Sequence, residues 1–91
     1  MIRITCARAP GESRLRARGH AEGSAAACAA VSALLYALAN WAGPQRAAVA
    51  RGRADIKLPR TPAADAAFDL TVLGLAQVAS VQPREVRVEE G

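Results

Sequence analysis

The feature that most constrains the fold is an almost continuous apolar segment at residues 25–42, half of it alanine. Alanine and leucine are strong helix formers. Ser24 can cap a helix at its start, and Gly43-Pro44 can end one. The sequence therefore predicts a helix over 25–42. Its length is at the bottom of the membrane-spanning range and alanine contributes little to insertion, so we expect a helix of a folded domain without a membrane.

Strands are predicted on both sides of this helix by alternation of apolar and polar residues. Two alternating segments flank Pro10-Gly11, and two more flank Gly52, which is typical of two hairpins. A last alternating segment follows Pro83. The predicted strands cover residues 2–8, 13–19, 45–51, 53–59 and 84–90.

A second helix is predicted from Thr61-Pro62 to about Val81, with Thr61 as its cap and Asp65 favourable in its first turn. The element order is then β-β-α-β-β-α-β. We expect one α+β domain over residues 1–91, in two layers, with both helices packed on one face of a mixed sheet.

Helix 25–42 is apolar on nearly every side, with Ser32 and Asn40 as its polar interruptions. Such a helix requires apolar cover on two sides. The sheet can cover one side, and the same helix of a second subunit can cover the other. The sequence therefore predicts a two-fold homodimer through helix 25–42.

The charge of the chain is +4 and is unevenly distributed. Residues 1–60 carry ten basic and three acidic side chains (+7), and residues 61–91 carry two basic and five acidic ones (−3). Arg14, Arg16 and Arg18 share one face of a predicted strand. They can meet ribosomal RNA, as basic surfaces often do, or only solvent.

The cysteines, Cys6 and Cys28, are 22 residues apart and form no CxxC pair, and His20 is the only histidine. A structural zinc site is therefore not expected. The first residues contain no apolar signal-peptide region, so we expect a cytoplasmic protein with free thiols. Cys6 shares its parity with Ile2 and Ile4, which predicts that it is buried and inert.

His20 and Cys28 have the residue types of a nucleophile and its base. With Ser24 as cap, Cys28 lies in the first helical turn, where free N–H groups and the helix dipole favour a thiolate and can hold an oxyanion. His20 can accept the thiol proton and return it to a leaving amine. From the spacing alone, a histidine in a turn and a small core cysteine are the more frequent explanation.

Two motifs resemble those of a known family. Gly19-His20-Ala21, followed by the CAAVSAL segment at 28–34, is similar to the signature of the Prp family of ribosomal-processing cysteine proteases. The segment from Leu70 to Val88, which contains Gln82-Pro83, is also similar to the C-terminal pattern of that family. The resemblance extends over most of the chain in the same element order.

The resemblance implies a small homodimeric α+β cysteine protease that removes an N-terminal extension from a large-subunit ribosomal protein. Carried over by motif, Cys28 is the nucleophile and His20 its base, with Gly19, Ala21 and Ser32 in supporting positions. No metal and no organic cofactor is implied.

The chain departs from the family pattern between the two site residues. The family usually has a longer, glycine-containing loop there and an aspartate shortly before the cysteine. Here the link is AEGSAAA, and Glu22 is the only acid in it. Two alternatives to an active protease therefore stay open, namely an inactive homodimeric module that binds ribosomal components and a basic RNA-contacting domain.

Overall fold

The computed structural model describes residues 1–91 and contains seven elements in the predicted order. They are β1 (Ile2–Arg8), β2 (Glu12–Arg18), α1 (Ala25–Ala42), β3 (Ala47–Ala50), β4 (Arg53–Pro59), α2 (Pro62–Val81) and β5 (Val86–Glu90).

The strands form one five-stranded sheet in the order β3-β4-β2-β1-β5. The first four strands pair antiparallel, and β5 adds parallel to β1 at the opposite edge. The sheet is therefore mixed, as predicted. Because β2 lies beside β4, the two hairpins are joined in the centre of the sheet, and the edges are β3 and β5.

Both helices cover the same face of the sheet, which confirms the predicted two-layer α+β fold. The apolar residues of each strand turn toward the helices: Ile4 and Leu15 are fully buried, and Ile56 is buried beside them. Phe68 and Leu75 of α2 complete the core. Gly74 lets the helices approach closely, since a Cβ there would lie 2.9 Å from a methyl carbon of Leu34.

The predicted helix limits are confirmed by their caps. Ser24 Oγ accepts the N–H of Ala27 at 3.0 Å, and Thr61 Oγ1 accepts that of Ala64 at 3.2 Å. By length and mean hydropathy alone (1.5 for α1, 1.3 for α2) each helix would be long and apolar enough to cross a membrane. In this fold each helix packs part of its apolar surface on the sheet.

The outer strands are shorter than predicted because turn hydrogen bonds occupy their first residues. The N–H groups of Arg46 and Ala47 both bond to the carbonyl of Gly43, so β3 begins only at Ala47. Likewise, the carbonyl of Gln82 accepts the N–H groups of Glu85 and Val86, so β5 begins at Val86.

Candidate active site

His20 and Cys28 line one cleft of about 340 Å³, although their side chains come from different elements. His20 follows the end of β2, and Cys28 lies in the first turns of α1. The β3–β4 turn forms a third wall. The structure therefore brings the two sequence-predicted residues to a common solvent-accessible space.

Gly19 makes the sharp exit from β2 that places His20 at the cleft. Its φ is +97°, in the region that favours glycine. A Cβ on Gly19 would lie 2.2 Å from the carbonyl oxygen of Met1, so the neighbouring strand also excludes a side chain there. Gly19, predicted as a supporting residue, thus shapes the backbone next to His20.

The β3–β4 turn, which sequence reasoning did not assign to the site, packs against the imidazole. Gly52 has φ +75°, and a Cβ on it would lie 2.7 Å from Nε2 of His20. The carbonyl of Gly52 also accepts the N–H of Gly19 at 3.0 Å. In the sequence, a glycine between two arginines indicates only a hairpin turn, because the pairing of β2 with β4 leaves no local pattern.

The thiol of Cys28 is held by the backbone of Ala21. The N–H of Ala21 donates to Sγ at 3.2 Å, and Sγ donates to the carbonyl of Ala21 at 3.6 Å. Ala21 is buried, and Cys28 is half-buried. No hydrogen bond joins Cys28 to His20 in this state. Ala21, predicted as a supporting residue, therefore contacts the sulfur directly through its backbone.

The expectation that Cys28 itself offers a free N–H is wrong. Ser24 is the cap, so Cys28 is the fourth helical residue, and its N–H bonds to the carbonyl of Ser24 at 3.2 Å. The first intrahelical bond therefore forms at this residue. An oxyanion formed on a substrate carbonyl by attack of this sulfur would therefore need a donor other than the N–H of Cys28.

The loop between the two residues is closed tightly over the helix start. The N–H of Ser24 bonds to the carbonyl of Ala21 at 3.2 Å, and the N–H of Gly23 bonds to Glu85 at 3.3 Å. A Cβ on Gly23 would meet that same carboxylate at 2.2 Å. Glu22 is exposed and makes no ion pair, so the acid that fixes the loop is Glu85, from a distant part of the chain.

The remaining wall of the cleft is mixed in character. Ser32 and Tyr36 line it from α1, and the Ser32 hydroxyl makes no hydrogen bond within the chain. Arginines from β2 and the β3–β4 turn border it on the other side. They are Arg18, Arg51 and Arg53. The cleft is thus apolar at its base and cationic on one rim.

Cys6, as predicted from its parity, lies apart from the cleft. It is 2% exposed in the core of β1, and burial raises the pKa of its thiol. Such a thiol stays protonated and unreactive at neutral pH. Both cysteines are free, and they differ entirely in their surroundings.

No protein-family model matches the chain, and no curated protein matches it. Solved structures do. The essential ribosomal processing protease Prp from S. aureus, in complex with a substrate peptide, superposes with a TM-score of 0.82 over all of both chains at 16% identity. Its complex with a covalently linked product peptide gives 0.80 at 17% identity, again over both whole chains.

A third solved structure, SMU.848 from Streptococcus mutans, has a TM-score of 0.74 and 24% identity over 99% of this chain and 93% of its own. The chain therefore has the fold of the Prp proteases along its whole length. This confirms at the level of fold the resemblance that the GHA and CAAVSAL motifs predicted.

Proposed function

We propose that the chain is a cysteine endopeptidase resembling the Prp family, with Cys28 as nucleophile and His20 as its base. The observation that carries the proposal is the shared cleft: two residues eight positions apart line one open space in a fold otherwise seen with bound peptides. A cleft bordered by strand ends and a helix start suits an extended peptide.

The proposed reaction begins with proton transfer from the Cys28 thiol to the neutral imidazole of His20. The sulfur then attacks the scissile carbonyl carbon, and the resulting tetrahedral oxyanion collapses to a thioester as the peptide amine leaves with the proton from His20. Water, deprotonated by His20, attacks the thioester and releases the acid product and the free thiol. No step requires a metal or an organic cofactor.

For this reaction the Cys28 thiol must leave the backbone of Ala21 and contact His20. Its proton is directed toward the carbonyl of Ala21 at 3.6 Å, a long contact even for sulfur. Catalytic hydrogen bonds are often long or absent before substrate binds. The proposal therefore requires that peptide binding turns Sγ from Ala21 toward His20.

For the substrate we propose a large-subunit ribosomal protein with an N-terminal extension, cleaved in the cytoplasm during ribosome maturation. The support is the family resemblance of the motifs together with the fold of a ribosomal processing protease. An extended N-terminal segment is a suitable occupant because it can lie flat along the strand ends.

The test uses the protein with Cys6 replaced by Ala, so that only Cys28 can react. We expect iodoacetamide to alkylate Cys28 at pH 6 much faster than it alkylates free cysteine, and His20→Ala to remove the excess rate. Matched peptides spanning the extension of the host's own ribosomal protein should be cleaved by the first variant and not by His20→Ala. Ordinary thiol reactivity together with no cleavage would contradict the proposal.

A second candidate is a catalytically inactive binding module with the same fold. The specific observation in its favour is that Ala21 satisfies the thiol through two backbone contacts while His20 packs on Gly52. This candidate predicts that the wild-type chain binds the extension peptide without cleaving it, and that Cys28→Ala and His20→Ala leave the affinity unchanged.

We also propose that two copies pair through α1, as the composition of that helix predicts. In the single chain its outward side remains apolar, with Tyr36 50% exposed and Trp41 54% exposed. Large exposed aromatic side chains of this kind are typical of interfaces. Sedimentation equilibrium should give twice the chain mass, and Trp41→Glu should give the single mass with an unchanged circular dichroism spectrum. A fully folded wild-type monomer would contradict the pairing.

A further inference from the structure

The face of the sheet opposite the helices is uncovered, and its side chains are mostly charged. We call it the open face. Every strand places its apolar residues toward the helices, so the alternate positions point outward. The basic residues on this face are Arg3, Arg14, Arg16, Arg18, Arg53, Lys57 and Arg87.

Four of these arginines lie in one row across four adjacent strands. Arg18 of β2 is the register partner of Arg3 on β1 and of Arg53 on β4. Arg87 of β5 is the register partner of Arg3 on the other side. We call Arg87, Arg3, Arg18 and Arg53 the arginine row. At roughly 4.8 Å between strands, it is about 14 Å long.

The arginine row has few acids to neutralise it. Arg14, by contrast, makes two bonds to the Asp55 carboxylate at 2.5 and 2.9 Å and lowers the pKa of that carboxyl. No ion pair involves Arg3, Arg18 or Arg53, and Arg87 meets only Glu89, at 3.6 Å. Like charges directly opposite on neighbouring strands destabilise a sheet. An external anion would remove that repulsion.

A groove runs beside the row at the β3 edge. Small side chains, Ala48 and Ala50, stand on the edge strand next to the long arginines of the inner strands. The space between them is about 530 Å³, and its charged lining residues are Arg16, Arg18, Arg53 and one acid, Asp55, whose carboxylate is bonded to Arg14. The open face therefore offers both a linear set of cations and a trough in which a narrow anionic chain can lie.

We propose that the open face binds the sugar–phosphate backbone of RNA through the arginine row. Lys57 is the only lysine among the 12 basic residues, and a guanidinium binds phosphate through two parallel hydrogen bonds, which an ammonium does not. The row carries no aromatic or large apolar side chain, so it provides neither base stacking nor insertion into a lipid surface. The contact is thus to phosphates and independent of base sequence.

The choice of RNA over an acidic protein rests on the proposed function. Arg18 and Arg53 belong both to the arginine row and to the rim of the His20–Cys28 cleft. RNA on the open face would therefore lie next to the place where a peptide enters. A ribosomal protein presented together with its RNA would contact both surfaces at once.

The test measures binding of a fluorescent RNA hairpin by anisotropy between 50 and 300 mM salt, with poly-glutamate of equal charge as competitor. The row variant is Arg3→Gln/Arg18→Gln, and Arg53→Gln/Arg87→Gln is a second row variant should the first not fold. The control is Arg46→Gln/Arg84→Gln, which removes the same charge from exposed turns outside the strands.

We expect wild type and control to bind the hairpin with a strong salt dependence, and each row variant to flatten the slope of log K against log salt by about 2, since two phosphate contacts are lost. Equal weakening by the control and row variants would overturn the proposal. So would poly-glutamate competing as well as unlabelled RNA, which would assign the surface to acidic protein. Peptide cleavage measured without RNA tests the peptidase separately, so the two proposals can fail independently.

Discussion

The two cysteines show how differently one residue type behaves in two regions of this molecule. Cys6 lies in a central strand, 2% exposed, and burial raises the pKa of its thiol. Cys28 lies half-buried near the start of α1, with its sulfur bonded to the backbone of Ala21 and with a histidine on the same cleft. The first region excludes water, and the second places a half-buried thiol and a histidine on one cleft.

The candidate site therefore lies at the edge of the core and not within it. The strand interior supplies rigidity, whereas the strand ends and the helix start supply an opening. The glycines of the second region support this: Gly19 and Gly52 have positive φ and bring two turns together around His20. The same substitution made at Cys6 and at Cys28 should therefore have unequal effects.

The largest expected effect comes from removing each thiol in turn. Cys28→Ala should lower peptidase activity by more than about a thousand-fold, because the covalent step is lost. Cys6→Ala should change the activity less than about threefold, because that thiol has no access to substrate. Cleavage of the extension peptide, with circular dichroism to confirm folding, measures both. Equal losses would mean that the two regions are not functionally distinct.

A smaller effect is expected from the turn that packs on His20. Gly52→Ala places a methyl group 2.7 Å from Nε2 and should displace the imidazole, lowering activity by about 10- to 100-fold. Gly43→Ala is the matched control, since Gly43 also has positive φ (+92°) but has no atom within 4 Å of the added Cβ. Both variants should lose about 1–3 kcal/mol of stability, since both place a side chain at positive φ. Only Gly52→Ala should lose activity, and equal activity in the two would remove the turn from the site.

Replacing each thiol with a hydroxyl sharpens the contrast in stability. Cys6→Ser buries a more polar group without water and should reduce the free energy of unfolding by about 1–3 kcal/mol. Cys28→Ser keeps a donor beside Ala21 at a half-buried position and should cost less than about 0.5 kcal/mol. Urea denaturation measures both, and a larger cost at Cys28 would contradict the assigned burial.

The smallest effect is on the pH dependence of stability. Because burial raises the pKa of Cys6 in the folded state, the thiol contributes its full stability below its unfolded pKa of about 8.5. Above that pH the unfolded chain ionises first, so stability falls as pH rises toward the folded pKa. Urea unfolding at pH 8 and pH 10 should show a smaller decrease for Cys6→Ala than for wild type. An identical decrease would show that the thiol does not titrate differently on folding.

Local signals in the sequence accounted for most of the elements. Ser24 and Thr61 were correctly identified as caps, and the shared parity of Cys6 with Ile2 and Ile4 is confirmed by the burial of all three. The predicted bounds of β2 were one residue too late, so Gly19 lies outside the strand, and β3 and β5 begin later than predicted because turns at Gly43 and Gln82 take their first residues. The motif resemblance selected His20 and Cys28, and the structure places both on one cleft.

The parts of the site that sequence reasoning missed come from distant positions. Gly52 packs on His20 only because β4 pairs with β2, and Glu85 anchors Gly23 only because β5 joins β1 at the far edge. Neither pairing leaves a local pattern. The bond from the Cys28 N–H to the carbonyl of Ser24 is local by contrast, and it follows from Ser24 as the cap because Cys28 is four residues after it.

Periodicity, caps and short motifs act over a few neighbouring residues, so the order of elements, the buried faces, the helix limits and the two candidate site residues could be predicted from the sequence. Which turn faces the histidine, what holds the sulfur, and how four arginines align across four strands became visible only in the folded chain. Those facts depend on strand order and register, which arise from packing the whole chain at once.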